Sequence, residues 1–344
     1  MNEVAIKWKN SNDTQYALDA DNLHEIHPSV NCADENFMVV SGLDGLLIKA
    51  HTAIKIIVDG VHKVFQFPTD LTFKVGDKLD SGALQVGKDY YVYLVDAGDG
   101  TAHISVSLNS TYPDISGATA QNSRKIGGFH TLCLAVGNIS NHPLSGYNAG
   151  DILPASVWNL NHRPTCSPEG MVYIASMGIW ADIYLQSGTG ANTVSVYGGT
   201  ITDTRMWYDH VDDLAAVGKT LLTESEFQAA AEGSNQKTAI AGAKDPGTTG
   251  GHVDSAGRRM ISNYGLEDCC GAMWQWMDHP SANGGSSWST QAGNKGDIYG
   301  AGYALLAGGN WPHAAYCGSR SRGTHSPRTN TNANIAGRGR ARSR

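Results

Sequence analysis

No apolar run in this 344-residue chain approaches the roughly 18 residues of a membrane-spanning helix, which argues against insertion in a bilayer. The opening segment, MNEVAIKWKNSND, lacks an apolar core of signal-peptide length, so synthesis in a cytoplasm is expected. Charged residues are scarce at 17%, and that argues against long solvated helices. The six cysteines (Cys32, Cys133, Cys166, Cys269, Cys270 and Cys317) have no C-x-x-C spacing. Neither a zinc site nor a disulfide framework is signalled, and reduced, mostly buried thiols are expected. A phosphate loop is also missing, since GTTGG at Gly247 to Gly251 has neither the lysine nor the preceding strand it needs.

What the chain does have is glycine, 41 residues of it, implying many tight turns and an all-β or α+β fold. Between Asn36 and Gly137 short apolar or alternating runs follow one another: FMVVSG, GLLIKA, AIKIIVDG, KVFQFP, LTFKVGD, DYYVYLVDAGDG, AHISVSL and GGFHTLCLAVG. Bounded by turn residues, they read as successive antiparallel strands. The polar tract ISNHPLSGYNAGD suggests a boundary near Asn141, giving a β-rich domain over 1–140 and a second domain over 141–344. Tryptophan marks the change, with only Trp8 before the boundary and Trp158, Trp180, Trp207, Trp274, Trp276, Trp288 and Trp311 after it. Two helices are expected there. One lies near Val211 to Val217, and the other opens at Thr223, where Glu226 three residues on completes a capping box. The stretches Ser234 to Arg258 and Ser281 to Asp297 read as long loops.

Charge is unevenly placed. From Asn310 onward there are seven arginines (Arg320, Arg322, Arg328, Arg338, Arg340, Arg342 and Arg344) and no Lys, Asp or Glu. The net charge of −7 less this +7 leaves −14 on the first 309 residues. A basic tail raises nucleic acid as a partner, but the acidic remainder would repel phosphate. Arg338, Arg340, Arg342 and Arg344 alternate with small residues, the period of a strand with one solvated face, so no nucleic-acid partner is expected.

Three segments in order, LLTESEFQAAAEG at Leu221, YGLEDCCGAMWQW at Tyr264 and ALLAGGNWPHAAYCGSRSR at Ala304, resemble the helix, turn and strand of C-type-lectin-like domains of the formylglycine-generating-enzyme type. The resemblance runs from about Pro154 to the end and implies an α+β fold in which a mostly antiparallel β domain precedes a C-type-lectin-like domain. Trp274 and Trp276 are then expected to pack in the core. The last residues, GGNW, GSR and TNTNANIAGRG, are similar to the variable regions of diversity-generating-retroelement variable proteins of phage tropism determinants, although the order at Pro327-Arg328 differs. That resemblance implies a variable region over about 304–344, written by adenine-directed mutagenesis. Asn310, Asn330, Asn332 and Asn334 match retained template asparagines, while Pro312, His313, Ala314, Tyr316, Gly323, His325 and Ser326 stand at positions of substitution. These eleven residues are expected to form one exposed ligand-binding face, rich in the adaptable side chains that such surfaces favour. GKDYYVYL and NSRKIGGFHTL in the first domain resemble phage tail-fibre modules, which implies attachment or oligomerisation.

The function implied is recognition of a host cell-surface protein or glycan by a homo-oligomer, most simply a trimer, on a virion tail. A cellular or plasmid-encoded variable binding protein is the alternative, and a formylglycine-generating-type oxidase is a third reading. Catalysis in that family needs a pair of nearby thiols for copper, or histidines for iron in relatives. The strand after Gly309 offers Cys317 alone, and His313 and His325 fall at variable positions, so neither enzyme activity, a cofactor nor a metal is expected. Asp209, Asp212 and Asp213, and Glu267 with Asp268, lack calcium-loop spacing and are expected to be solvated.

Overall fold

The computed structural model describes residues 36–58, 60–281 and 302–344 in full, and five further strands, Ile6–Lys9, Gln15–Leu18, Val30–Asn31, Trp288–Thr290 and Asp297–Tyr299, by backbone alone. Cys32 lies outside the described residues. Within the expected loop from Ser281 to Asp297, Ser281 ends a strand, Trp288–Thr290 pairs antiparallel with Asp297–Tyr299, and residues 282–287 and 291–296 lie outside the described residues.

Each of the eight runs between Asn36 and Gly137 contains a strand, and the strand pairs among them are antiparallel. The central strand Asp89–Asp96 (DYYVYLVD) lies between Ala102–Ser107 and Ser123–His130, and Trp158–Asn159 joins the outer side of Ser123–His130. Its near-continuous apolar run follows from burial on both faces. Tyr90, Val92 and Leu94 enter one core with Phe37, Leu46 and Phe129, while Tyr91, Tyr93 and Val95 pack with Trp158 and Trp180 on the other side. Gly127 and Gly128 make this possible. A Cβ on Gly127 would stand 2.4 Å from the Trp158 carbonyl oxygen, and one on Gly128 would stand 2.7 Å from the Trp158 ring nitrogen.

The second half is built on two four-stranded sheets. In one, the order is Met171–Ile174, Ile179–Asp182, Gly339–Arg342 and Thr220–Leu221. In the other it is Gly318–Pro327, Tyr303–Gly308, Trp274–Ser281 and Ile335–Ala336, the last pair being parallel. Helix α1 spans Trp207–Ala216, starting four residues earlier than the periodicity predicts. Helix α2 spans Glu224–Ala230 and begins as its sequence predicts: Thr223 Oγ1 accepts from the Glu226 N–H at 3.3 Å, and Glu226 Oε2 accepts from the Thr223 N–H at 2.8 Å. Among the described residues no helix is long and apolar enough to cross a membrane.

Two charge expectations are corrected. The terminal arginines do not share a solvated face: Arg338 is 0% exposed, Arg340 pairs with Glu226, and only Arg342 and Arg344 reach solvent freely. Asp213, Glu267 and Asp268 are buried and not solvated. Burial of those carboxylates succeeds because each has donors aimed at it. Asp213 takes Gln186, Arg205 and the Gly190 N–H. Glu267 takes Arg259 at 2.5 Å and the Gly251 N–H, and Asp268 takes the Gly250 N–H and His252. The GTTGG loop thus serves two buried carboxylates with consecutive amides, both glycines having positive φ.

α1 carries a second buried titratable group. His210 is 0% exposed, with Nδ1 2.7 Å from Gln186 Oε1, and burial drives its pKa down to about 4. The unfolded imidazole takes up a proton near pH 6.5, whereas the folded one stays neutral until about pH 4. Stability therefore falls as pH drops through this window, by roughly 3 kcal/mol in total. Urea unfolding at pH 7 and pH 4.5 should show this loss, and His210→Gln should remove most of it. An unchanged slope in the variant would assign the acid lability elsewhere.

A candidate ligand-binding face

The terminal segment leaves the strand Tyr303–Gly308 through a double-glycine turn, then forms a 3-10 segment over Trp311–Tyr316 before re-entering the sheet as Gly318–Pro327. Pro312 suits the first turn, where no N–H is needed. Both ends are held from beneath. The Trp311 N–H donates to Ala272 at 3.1 Å, and the Asn310 carbonyl accepts the His313 N–H at 3.0 Å and the Cys317 thiol at 3.2 Å. Gln236 clamps the next residues, its Nε2 donating to Ser319 Oγ and its Oε1 accepting the Ser319 N–H. Arg322 ties the strand to α2 through Glu224 at 3.1 Å and lies over the Phe227 ring.

Of the eleven predicted face residues, Pro312, His313, Ala314, Tyr316, His325 and Asn332 are exposed, and Asn330 and Asn334 are half-buried. Tyr316 stands out at 81% exposure. Asn310, Gly323 and Ser326 do not join them: Asn310 is 0% and Ser326 7% exposed, and Gly323 is buried against Leu306. Asn310 faces inward because the Gly309 carbonyl and the Trp311 N–H on either side of it are bonded to Gly271 and Ala272. Between Leu306 and Ala304 the register against Gly323 to Ser326 slips by one residue, a bulge at the strand bearing His325.

Ala314 has φ 36° and ψ −103°, a positive-φ conformation sparsely populated by non-glycine residues that costs about 1–3 kcal/mol. Ala314→Gly should accordingly raise stability by about 1 kcal/mol in chemical denaturation; a loss of stability would mean the turn relaxes without strain.

Two aromatic groups were not assigned to this face from sequence. Trp274, expected in the core beside Trp276, is only half-buried, whereas Trp276 is 0% exposed. Both lean on Leu306 and Ile335, as residues two apart on a strand must share a face. Trp274 makes an edge contact with the His313 ring at 5.8 Å, and its backbone N–H donates to the Asn334 carbonyl at 3.0 Å. Trp207 meets the turn after the strand, with the Arg328 guanidinium 4.6 Å above its ring, its backbone N–H on the Arg328 carbonyl and its indole N–H on the Met277 carbonyl. The signal for Trp274 was its place as the first residue of its strand, where cover from neighbours ends.

Arg338 is wholly buried. Its Nη1 donates to the Asp182 and Ile183 carbonyls at 2.9 and 2.6 Å, its Nη2 to the Glu267 carbonyl at 2.5 Å, and its Nε to Gln275 Oε1 at 2.9 Å. Glu267 and Asp268 thus meet the same hub through their carbonyls, since Gln275 Nε2 donates to the Asp268 and Cys269 carbonyls. Burial pushes the Glu267 carboxyl up, against the pull of Arg259. Burial also works against the His252 cation, but the hydrogen bond to Asp268 and the negative charges of Asp268 and Glu267 together outweigh it and raise the pKa. Among the described residues no three His, Cys, Asp or Glu side chains gather as a metal site. The five described cysteines are free, Cys166 half-buried and the others buried.

An antiparallel β body followed by an irregular, tryptophan-rich α+β head, with its terminal segment returning to display one aromatic face, defines a C-type-lectin-like tail-fibre head. Residues 36–159 match the family described as the Mtd second domain. The chain is 30% identical over 299 residues, 80% of its length and 73% of the relative's, to the tail fiber receptor-binding protein of Bordetella phage BPP-1. Two solved structures, the Major Tropism Determinant I1 and U1 variants, superpose with TM-scores of 0.79 and 0.78 at 28% identity, covering 96% of this chain and 89% of theirs. The chain belongs to the major tropism determinant family.

Proposed function

We propose that this chain is a phage tail receptor-binding protein whose C-type-lectin-like head presents a diversified surface to a protein or glycan on the host cell. The observation that carries this reading is the 30% identity to a tail fiber receptor-binding protein across most of both chains. The exposed residues Pro312, His313, Tyr316, His325 and Asn332 supply the contact surface, with Asn330 and Asn334 at its margin. The segment over about 304–344 is the part rewritten by a retroelement, the β-rich residues 1–140 attach and oligomerise the head on the virion tail, and binding proceeds without catalysis, cofactor or nucleic acid. Three copies acting together turn weak single-site contacts into firm adsorption, because effective concentration rises without new contacts.

Labelled protein incubated with a panel of bacterial strains should stain a subset of them. A chain changed together at His313, Tyr316, His325 and Asn332 should stain none of them or a different subset, with an unaltered melting curve. Identical staining by both chains would refute the assignment of the face. Solution mass should correspond to three copies; a monomer at micromolar concentration would remove the avidity argument.

A further inference from the structure

Of the aromatic side chains at the face that a rewritten terminal segment cannot change, Trp274 is the one that meets the His313 ring. We propose that Trp274 is a fixed ligand-contacting residue of this face, taking the apolar side of a ring or side chain of the ligand, and that the residue at position 323 positions its indole. This rests on the reading of the face as the receptor-binding surface.

Trp274 sits thirty residues before the segment 304–344, on the strand Trp274–Ser281, yet it touches that segment at three separate places. His313 meets its ring edge, Asn334 holds its backbone N–H, and its Cη2 lies 3.9 Å from where a Cβ on Gly323 would stand. Variation at 313 and 323 therefore converges on one constant group. An indole that is half-buried is already anchored on one side, by Leu306 and Ile335, and keeps its other side for a partner. Such preordered aromatics lose little entropy on binding and commonly dominate interface energies.

Position 323 is buried, so a substitution there does not reach a ligand directly. A Cβ at Gly323 would meet Leu306 Cβ at 3.4 Å and Cδ1 at 3.7 Å, ordinary contacts, and its φ is not in the left-handed region. Alanine fits. A longer side chain, with Leu306 on one side, meets the indole on the other and displaces it. This gives a buried variable position a way to alter recognition, through the tilt of Trp274.

The test uses the full chain and intact cells of a bacterial strain that it labels. Trp274→Leu should lower labelling at least tenfold and Trp274→Phe much less, since the ring is kept. Gly323→Ala should label as the parent does, and Gly323→Met should lose about tenfold, with a crystal structure showing the indole moved off its contact with His313. A folded Trp274→Leu chain that labels like the parent while Tyr316→Ala does not would overturn the proposal and leave the face assignment intact. Should Trp274→Leu fail to fold, Gly323→Met decides: full labelling, or an indole that has not moved, overturns it. Full labelling by Tyr316→Ala and Trp274→Leu alike would remove the face and this proposal together.

Discussion

Replacing Arg338 with methionine is expected to destabilise the protein by about 3–5 kcal/mol, a large fraction of the stability of an ordinary domain. The side chain is 0% exposed and bonds three main-chain carbonyls, from Asp182, Ile183 and Glu267, together with Gln275 Oε1. These acceptors come from separate stretches of chain, so one guanidinium joins a strand of the first sheet, the turn carrying the buried carboxylates and a strand of the second sheet. Methionine fills comparable volume but donates nothing. Four buried acceptors would lose a bond; the Ile183 carbonyl keeps the Glu267 N–H at 2.8 Å, and each acceptor left with no other donor costs about 1–3 kcal/mol. Relief from desolvating the cation offsets part of this. Gly337 and Gly339 beside it admit no Cβ, which would stand 2.8 Å from His210 Nδ1 and 2.5 Å from Asp182 Oδ2 respectively, so the backbone cannot shift to compensate. Arg342→Met is the control: that side chain is exposed, and its loss should stay within about 0.5 kcal/mol. Urea unfolding of the two variants side by side measures the difference. An Arg338 variant within 1 kcal/mol of the parent would show that the hub is dispensable.

That hub marks where sequence reading stops. Arg338 belongs to an alternating Arg series, and alternation correctly indicated a strand. It could not indicate which sheet the strand would enter. Gly339–Arg342 is placed between Ile179–Asp182 and Thr220–Leu221, interior to its sheet, and so the first arginine of the series is carried inward. Local signals fared better. The capping box at Thr223 and the bounded strands of the first half rest on neighbours in sequence, and they appear as expected. Glu267 and Asp268 were misjudged for the same reason as Arg338: their donors, Gly250, Gly251, His252 and Arg259, are set by a loop whose path the sequence does not reveal. Within the face, exposure was legible where the chain makes a turn, at Pro312 to Tyr316. It was not legible at Asn310, Gly323 and Ser326, where strand pairing and bulges decide which way a residue points.

Tyr316→Ala is expected to weaken binding to cells by about 30-fold or more, equivalent to about 2 kcal/mol, while leaving the melting temperature essentially unchanged. The two halves of this expectation have separate causes. At 81% exposure the ring packs on almost nothing, and the hydrogen bond that Ser321 Oγ donates at this position goes to the Tyr316 carbonyl, which alanine keeps. Truncation therefore opens no cavity and orphans no buried group. In a complex the same ring becomes the largest apolar surface on the turn to leave water, and its two-torsion side chain loses little entropy in doing so. The His313/His325 double alanine should behave likewise on stability, and Trp276→Ala oppositely: that indole is 0% exposed among Leu214, Leu306 and Ile335, and removing it should cost about 3–5 kcal/mol. Measured together, the variants separate a surface that binds from a core that folds. Two results would move the site to the other half of the chain: unfolding by Tyr316→Ala and the double alanine, or binding that survives both and fails only when residues 1–140 are removed.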